Sequence, residues 1–187
     1  TKNVPPVAIH SIELQTNTND LVMGTHGRGV IIIDDISPLR EINETNLSNK
    51  LYFFKRDKFE IQEFGGFADN FGRETQFIGA NSSLSCQIQY LLPRRHTFGK
   101  MTMEIQDMEG NKVTTLNPGK TKGINTVEWN YNMRTPKIAK GKTLSFGGFT
   151  SPTVPAGKYK VVIKKGRDTF EKTIDVTYKN NAGLNED

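Results

Sequence analysis

Regular alternation of apolar and polar residues dominates the second half of the chain and limits the folds that it can adopt. The apolar positions are Cys86, Ile88, Tyr90 and Leu92, then Met101, Met103 and Ile105, then Val127 and Trp129, then Tyr159, Val161 and Ile163, and finally Phe170, Ile174, Val176 and Tyr178. A period of two places each set on one face of a β-strand. Turn residues separate the segments, and no helical periodicity of useful length occurs. The pattern predicts an all-β sandwich of two sheets with polar outer faces.

A β-hairpin is predicted over residues 20–35. Two apolar runs, Leu21–Met23 and Val30–Ile33, flank a polar turn in which Gly27 and Gly29 permit a tight reversal. A hairpin of this size is barely stable alone in water. We therefore expect the strand over residues 30–33 to pair with the sandwich, with a strand predicted over residues 7–14, or with a second copy of the chain.

Less regular segments connect these patterns. Ser37 is predicted to cap a helix of one turn, with Pro38 at its first position, before the polar and turn-rich residues 43–49. We predict an irregular linker over residues 51–76 and a long excursion from the sandwich over residues 132–156. The polar end of the chain, residues 180–187, is predicted to be a flexible tail.

Composition excludes several classes of protein. The 187 residues suffice for one ordinary domain with an appendage, and the net charge of +5 comes from scattered lysines and arginines. Scattered lysines favour a solvated outer face over a nucleic-acid footprint, so no nucleic-acid partner is expected. The lone Cys86 excludes an internal disulfide and a cysteine-based zinc site, and is predicted to be a buried thiol. No stretch reaches membrane-spanning length, and none forms a signal-peptide core.

His26 and Arg28 invite a catalytic interpretation, together with Asp34 and Asp35. A glycosidase needs two carboxylates facing each other across the scissile bond, whereas adjacent residues on a strand point to opposite faces. Polar side chains in turns commonly bond to backbone or to a carboxylate. His26 and Arg28 are therefore predicted to be structural turn residues. We predict no catalytic residue, no cofactor and no metal site, because the histidines lack ligand spacing.

Two clusters of aromatic residues and glycines are candidate carbohydrate-binding platforms. Their sugar-stacking candidates are Phe64, Phe67 and Phe71 in the linker and Phe146 and Phe149 in the excursion. The alternative is that these rings anchor loops to the protein surface. A coplanar exposed row would favour sugar binding, whereas burial of the same rings would favour a spacer module.

The segment from Asn19 to Arg40, with its Thr-His-Gly-Arg-Gly block, resembles the last blade of bacterial sortilin-like β-propeller proteins. These proteins are often described as glycosyl-hydrolase-related or sialidase-like repeat proteins. Residues 105–113, 123–130 and 155–161 resemble the Ig-like domain of the flagellar hook-capping protein. The resemblance implies a final propeller-blade segment over residues 1–50 and an Ig-like or fibronectin type III-like sandwich over residues 77–179.

The same resemblance implies an exported protein, periplasmic or at the cell surface. In such a protein the chain is expected to be a non-catalytic accessory module with a structural or protein-interaction role beside the rest of the parent propeller. Two alternatives stay open at this point. One is a carbohydrate-binding module, and the other is a fragment of a glycoside hydrolase whose active site lies in the propeller. Sialidase-like chemistry would need an arginine cluster and repeated Asp-box turns, which this sequence lacks.

Overall fold

A computed structural model describes residues 5–61, 84–135 and 151–179. Strands account for most of the regular structure in these ranges, and the two helices are short. In chain order the elements are β1 (Ile9–Gln15), β2 (Asp20–Thr25), β3 (Val30–Ile33), α1 (Ser37–Arg40), α2 (Glu44–Ser48), β4 (Tyr52–Phe53), β5 (Lys58–Ile61), β6 (Cys86–Leu92), β7 (Met101–Gln106), β8 (Lys112–Leu116), β9 (Gly123–Trp129), β10 (Gly157–Lys165) and β11 (Asp168–Tyr178).

Strands β4 to β11 form the predicted sandwich of two sheets. One sheet has the order β4-β6-β9, and the other has the order β5-β11-β10-β7-β8. All pairs are antiparallel except β5 with β11, which run parallel. The first two strands of the sandwich are thus divided between the sheets, with β4 beside β6 and β5 beside β11. The predicted all-β class is confirmed.

The core lies between the two sheets and uses the alternating positions predicted from the sequence. Buried and half-buried side chains alternate along all of β7 and along the first part of β6. β6 ends in three consecutive buried residues, Tyr90–Leu92, and β10 contains three more, Val161–Ile163. Trp129, on β9, is buried with its ring 5.5 Å from that of Tyr131 and 5.6 Å from that of Tyr159. Its indole Nε1–H donates to the Asn132 carbonyl at 3.0 Å, so the largest core ring leaves no unpaired donor.

Tyr159 joins the start of β10 to the backbone that precedes it. It lies near the start of β10, and its hydroxyl donates to the Pro155 carbonyl at 2.7 Å. This bond from a strand-entry tyrosine to backbone a few residues upstream is the tyrosine corner of Ig-like folds. The Pro155-Ala156-Gly157 segment therefore fixes the entry of the chain into the central strand of the larger sheet.

Three sequence-based expectations need correction. Strands β4 and β5 lie inside the range predicted to be an irregular linker, because Phe59 and Ile61 bury alternate side chains although β5 has only four residues. The polar segment after residue 42 contains α2, capped by the Asn43 side chain, which accepts from the Asn46 N–H at 2.8 Å. Ser37 is the first residue of α1 rather than its N-cap, and its hydroxyl accepts from the Asn19 amide at 3.1 Å.

The remaining strands form a separate sheet with the order β1-β2-β3. The predicted hairpin is confirmed, since Leu21 pairs with Ile33 and Gly24 with Val30. The strand predicted over residues 7–14 is β1, and it pairs with β2 rather than with β3. Within the described residues, the outer edge of β3 therefore has no neighbouring strand.

Backbone hydrogen bonds join the two ends of the excursion over residues 132–156, and we call these joined ends its base. The Met133 N–H donates to Pro152 and the Val154 N–H donates to Tyr131, both at 2.8 Å. The Arg134 N–H donates to the Val113 carbonyl at 2.9 Å, so this base also covers part of the outer edge of β8. Residues 136–150 and the predicted tail at 180–187 lie outside the described residues.

Candidate interaction surface

The register of the β1-β2-β3 sheet collects apolar side chains on both of its faces. Residues paired across an antiparallel sheet share a face. One face, which we call face A, carries Ile9, Ile12, Leu14, Leu21, Met23, Ile31 and Ile33. The opposite face, face B, carries Val22, Val30 and Ile32 beside Ser11 and Gly24 and the polar residues Glu13, Gln15 and Asp20. Face A is therefore apolar along all three strands, whereas face B is polar along β1 and apolar along β3.

Much of this apolar surface is exposed. Ile12 on face A is 61% exposed, and Val30 and Ile32 on face B are 63% and 58% exposed. Six of the twelve exposed large hydrophobic side chains among the described residues belong to this one sheet. The sandwich strands, in contrast, bury their apolar sets. The concentration of exposed aliphatic side chains marks the sheet as an interaction surface.

His26 and Arg28 lie in the turn that joins β2 and β3, as predicted. The backbone carries the turn: the Thr25 N–H donates to the Gly29 carbonyl at 3.0 Å, and Gly27 and Gly29 have φ angles of +79° and +69°. The His26 N–H donates to the Ala8 carbonyl at 2.9 Å, which fastens the turn to the residue before β1. The His26 ring lies 5.2 Å from that of His10.

Asp34 and Asp35 follow β3 and are not part of the strand, so the expectation that they point to opposite faces of a strand does not apply. Asp35 has a φ of +43°, and its N–H donates to the Asp20 carboxylate at 2.9 Å. Hydrogen bonds from Thr18 and from the Asp35 N–H lower the pKa of Asp20. These contacts close the end of the hairpin.

A set of polar contacts joins this sheet and the following helices to the sandwich. The Asp35 carboxylate pairs with the Arg56 guanidinium at 3.4 Å. The Glu41 carboxylate accepts from the Tyr52 hydroxyl at 2.7 Å and from the Lys55 N–H at 3.1 Å. These side-chain contacts attach the sheet and the two helices to the sandwich, in addition to the covalent connection of the chain.

Lys172 lies within the sandwich and stabilises the segment that contains Arg56 at this junction. It occupies the inward side of β11, between Phe170 and Ile174, and its ammonium donates to the Phe54 and Arg56 carbonyls. Burial lowers the pKa of this lysine. The inward-facing ammonium is tolerated because two backbone carbonyls accept the hydrogen bonds that water would otherwise accept.

Two polar hollows flank Arg56. One, of about 430 Å³, is lined by side chains of the hairpin ends and the sandwich, including Asp20, Asp34 and Gln87. The other, of about 390 Å³, is lined by Lys58, Glu60 and Asp175 among others. Arg56 lines both hollows, and the lining of each is mainly polar.

Other candidates from the sequence have different outcomes. Phe64, Phe67, Phe71, Phe146 and Phe149 all lie outside the described residues. No cluster of three or more potential metal ligands occurs among the residues that the structure describes. No helix in those ranges is long and apolar enough to cross a membrane. Cys86 is fully buried, as predicted.

Fold and surface together define a two-sheet β-sandwich that carries a small β-sheet with exposed aliphatic side chains on both faces. Comparisons with protein-family models, with curated proteins and with solved structures return no match. The function is therefore argued from the surface itself.

Proposed function

We propose that the chain is a non-catalytic accessory module, in which the sandwich holds the β1-β2-β3 sheet against neighbouring sheets of the same exported parent protein. The observation that carries this proposal is the exposure of aliphatic side chains on both faces of the sheet. Exposed aliphatic side chains on a sheet are stabilised when another layer covers them, as in radially repeated sheets.

Two further observations support this role. The Asp35–Arg56 pair and the contacts of Glu41 fix the sheet to a sandwich that has a complete core of its own. The resemblance of residues 19–40 to the last blade of a sortilin-like propeller gives the neighbouring sheets an origin in the same polypeptide.

The test is binding between the chain and the polypeptide encoded directly upstream of it, expressed separately and measured by isothermal titration calorimetry. We expect binding, and we expect Ile12→Asp to weaken it at least about tenfold, because burying an isoleucine contributes about 1.5–3 kcal/mol. The matched control is Met108→Asp, at an exposed methionine in the turn between β7 and β8, which should bind as the parent chain does.

Equal binding by the Ile12→Asp and Met108→Asp variants would contradict the proposal. So would an upstream sequence without repeats of the Asp-Leu-Val-x-Gly-Thr type. Retention of the isolated chain on a polysaccharide affinity gel, without binding to the upstream polypeptide, would instead favour the carbohydrate-binding alternative.

A further inference from the structure

The two edges of the β1-β2-β3 sheet differ in how well they are protected against pairing. The edge strand β1 has a bulge between Ile9 and Ser11 and carries the charged Glu13, and both features discourage a further strand. The other edge strand, β3, is a run of four β-branched aliphatic residues without a charge, a proline or a register shift. It is the kind of edge that accepts a strand.

The backbone groups that β3 offers at this edge can be identified. The Gly29 carbonyl accepts from Thr25 of the neighbouring strand, so it points toward β2. Because backbone groups alternate in direction along an antiparallel strand, Ile31 and Ile33 also direct theirs toward β2. The N–H and C=O groups of Val30 and Ile32 therefore point outward, at the free edge.

Opposite charges lie at the two ends of the strand. Arg28 lies in the turn before β3, and Asp34 directly follows the strand. Among the described residues, neither side chain takes part in an ion pair. Such an arrangement is self-complementary, since an antiparallel copy of the strand would place each charge beside its opposite.

We propose that the edge of β3 pairs antiparallel with the β3 edge of a second copy of this chain, about a two-fold axis through Ile31. In this register the outward groups of Val30 bond to those of Ile32 in the second copy, and Arg28 meets Asp34 twice. The two three-stranded sheets become one six-stranded sheet. This pairing uses the edge of the sheet, whereas the proposed accessory role uses its faces, so each stands or fails separately.

Sedimentation velocity of the full chain over a concentration series tests the pairing. We expect a species of twice the 21.0 kDa chain mass. Ile32→Pro removes only an outward N–H and should give a monomer, whereas Ile32→Val should remain a dimer. Circular dichroism and Trp129 fluorescence check that each variant keeps its fold.

Charge exchange tests the register. Arg28→Asp and Asp34→Arg, each alone, should weaken the dimer at least about tenfold, because like charges then meet across the axis. Mixing these two variants should restore a dimer that contains one copy of each. A parent chain that stays monomeric, an Ile32→Pro variant that stays dimeric, or a mixture that fails to form the mixed dimer would each overturn the proposal. A dimer that Ile12→Asp but not Ile32→Pro dissociates would show pairing through face A instead.

Discussion

Cys86 is a residue whose reactivity the fold suppresses. Its thiol is enclosed between the two sheets, and burial raises its pKa to about 12. Thiolate is the reactive form, so a thiol that stays protonated and covered cannot be alkylated. The same burial explains why a single cysteine here signals core packing and no nucleophile.

We therefore expect iodoacetamide at pH 8.5 to leave Cys86 unmodified in the folded chain and to modify it rapidly in denaturant, where the thiol pKa returns to about 8.5. Intact-mass spectrometry after a short labelling pulse measures this. Rapid labelling without denaturant would show that the two sheets separate near Cys86, and this would contradict the packed core.

Asn125 is the buried polar side chain of the described core, and it organises the loop between β8 and β9. Its amide oxygen accepts from the Thr121 N–H and hydroxyl, at 3.1 and 2.8 Å, while its amide nitrogen donates to the Thr121 and Gly123 carbonyls. A side chain at Gly119 would approach the Asn125 amide oxygen to 2.5 Å, so this close contact requires glycine.

At the scale of this loop, we expect Asn125→Ala to lower the free energy of unfolding by about 1–3 kcal/mol, because it leaves loop donors and acceptors without partners. Gly119→Ala should be destabilising as well, since it displaces the same amide. Glu128→Ala, at an exposed position on the same strand, is the control and should change stability little. Urea unfolding followed by Trp129 fluorescence compares the three variants, and equal midpoints for all would refute this assignment.

Among the sandwich strands, those with a long alternating pattern could be predicted from the sequence. The long alternating strands β6, β7, β10 and β11 were predicted because a period of two over six or more residues distinguishes the buried face. Strand β5 was missed because two buried side chains give too short a pattern, and helix α2 was missed because it buries no side chain.

The candidate surface was only partly readable from the sequence. The apolar run over residues 30–33 predicted a strand that needs a partner, and the hairpin is present. The sequence could not tell which edge of the sheet stays free, because that depends on β1 pairing with β2. The inward position of Lys172 could not be predicted for a different reason. A lysine interrupts the apolar pattern of a strand face, and its carbonyl partners on residues 54 and 56 are distant in the chain.

At the scale of the whole molecule, the chain combines a sandwich with a buried core and a small sheet with exposed aliphatic side chains. The sandwich buries a continuous core that includes Trp129, Tyr90 and Ile105, whereas the β1-β2-β3 sheet exposes aliphatic side chains on both faces. Polar contacts at Arg56 and Glu41 hold the second unit on the first. This asymmetry is the basis of the proposed accessory role.

Amide hydrogen exchange, compared between the isolated chain and the same residues within the longer parent polypeptide, tests this account most directly. We predict that amides of β1 and β3 exchange at least about tenfold more slowly in the parent, because neighbouring sheets cover them, while those of β7 and β10 exchange at the same rate in both. Equal exchange of β1 and β3 in the two proteins would contradict the claim that this sheet is completed by its neighbours.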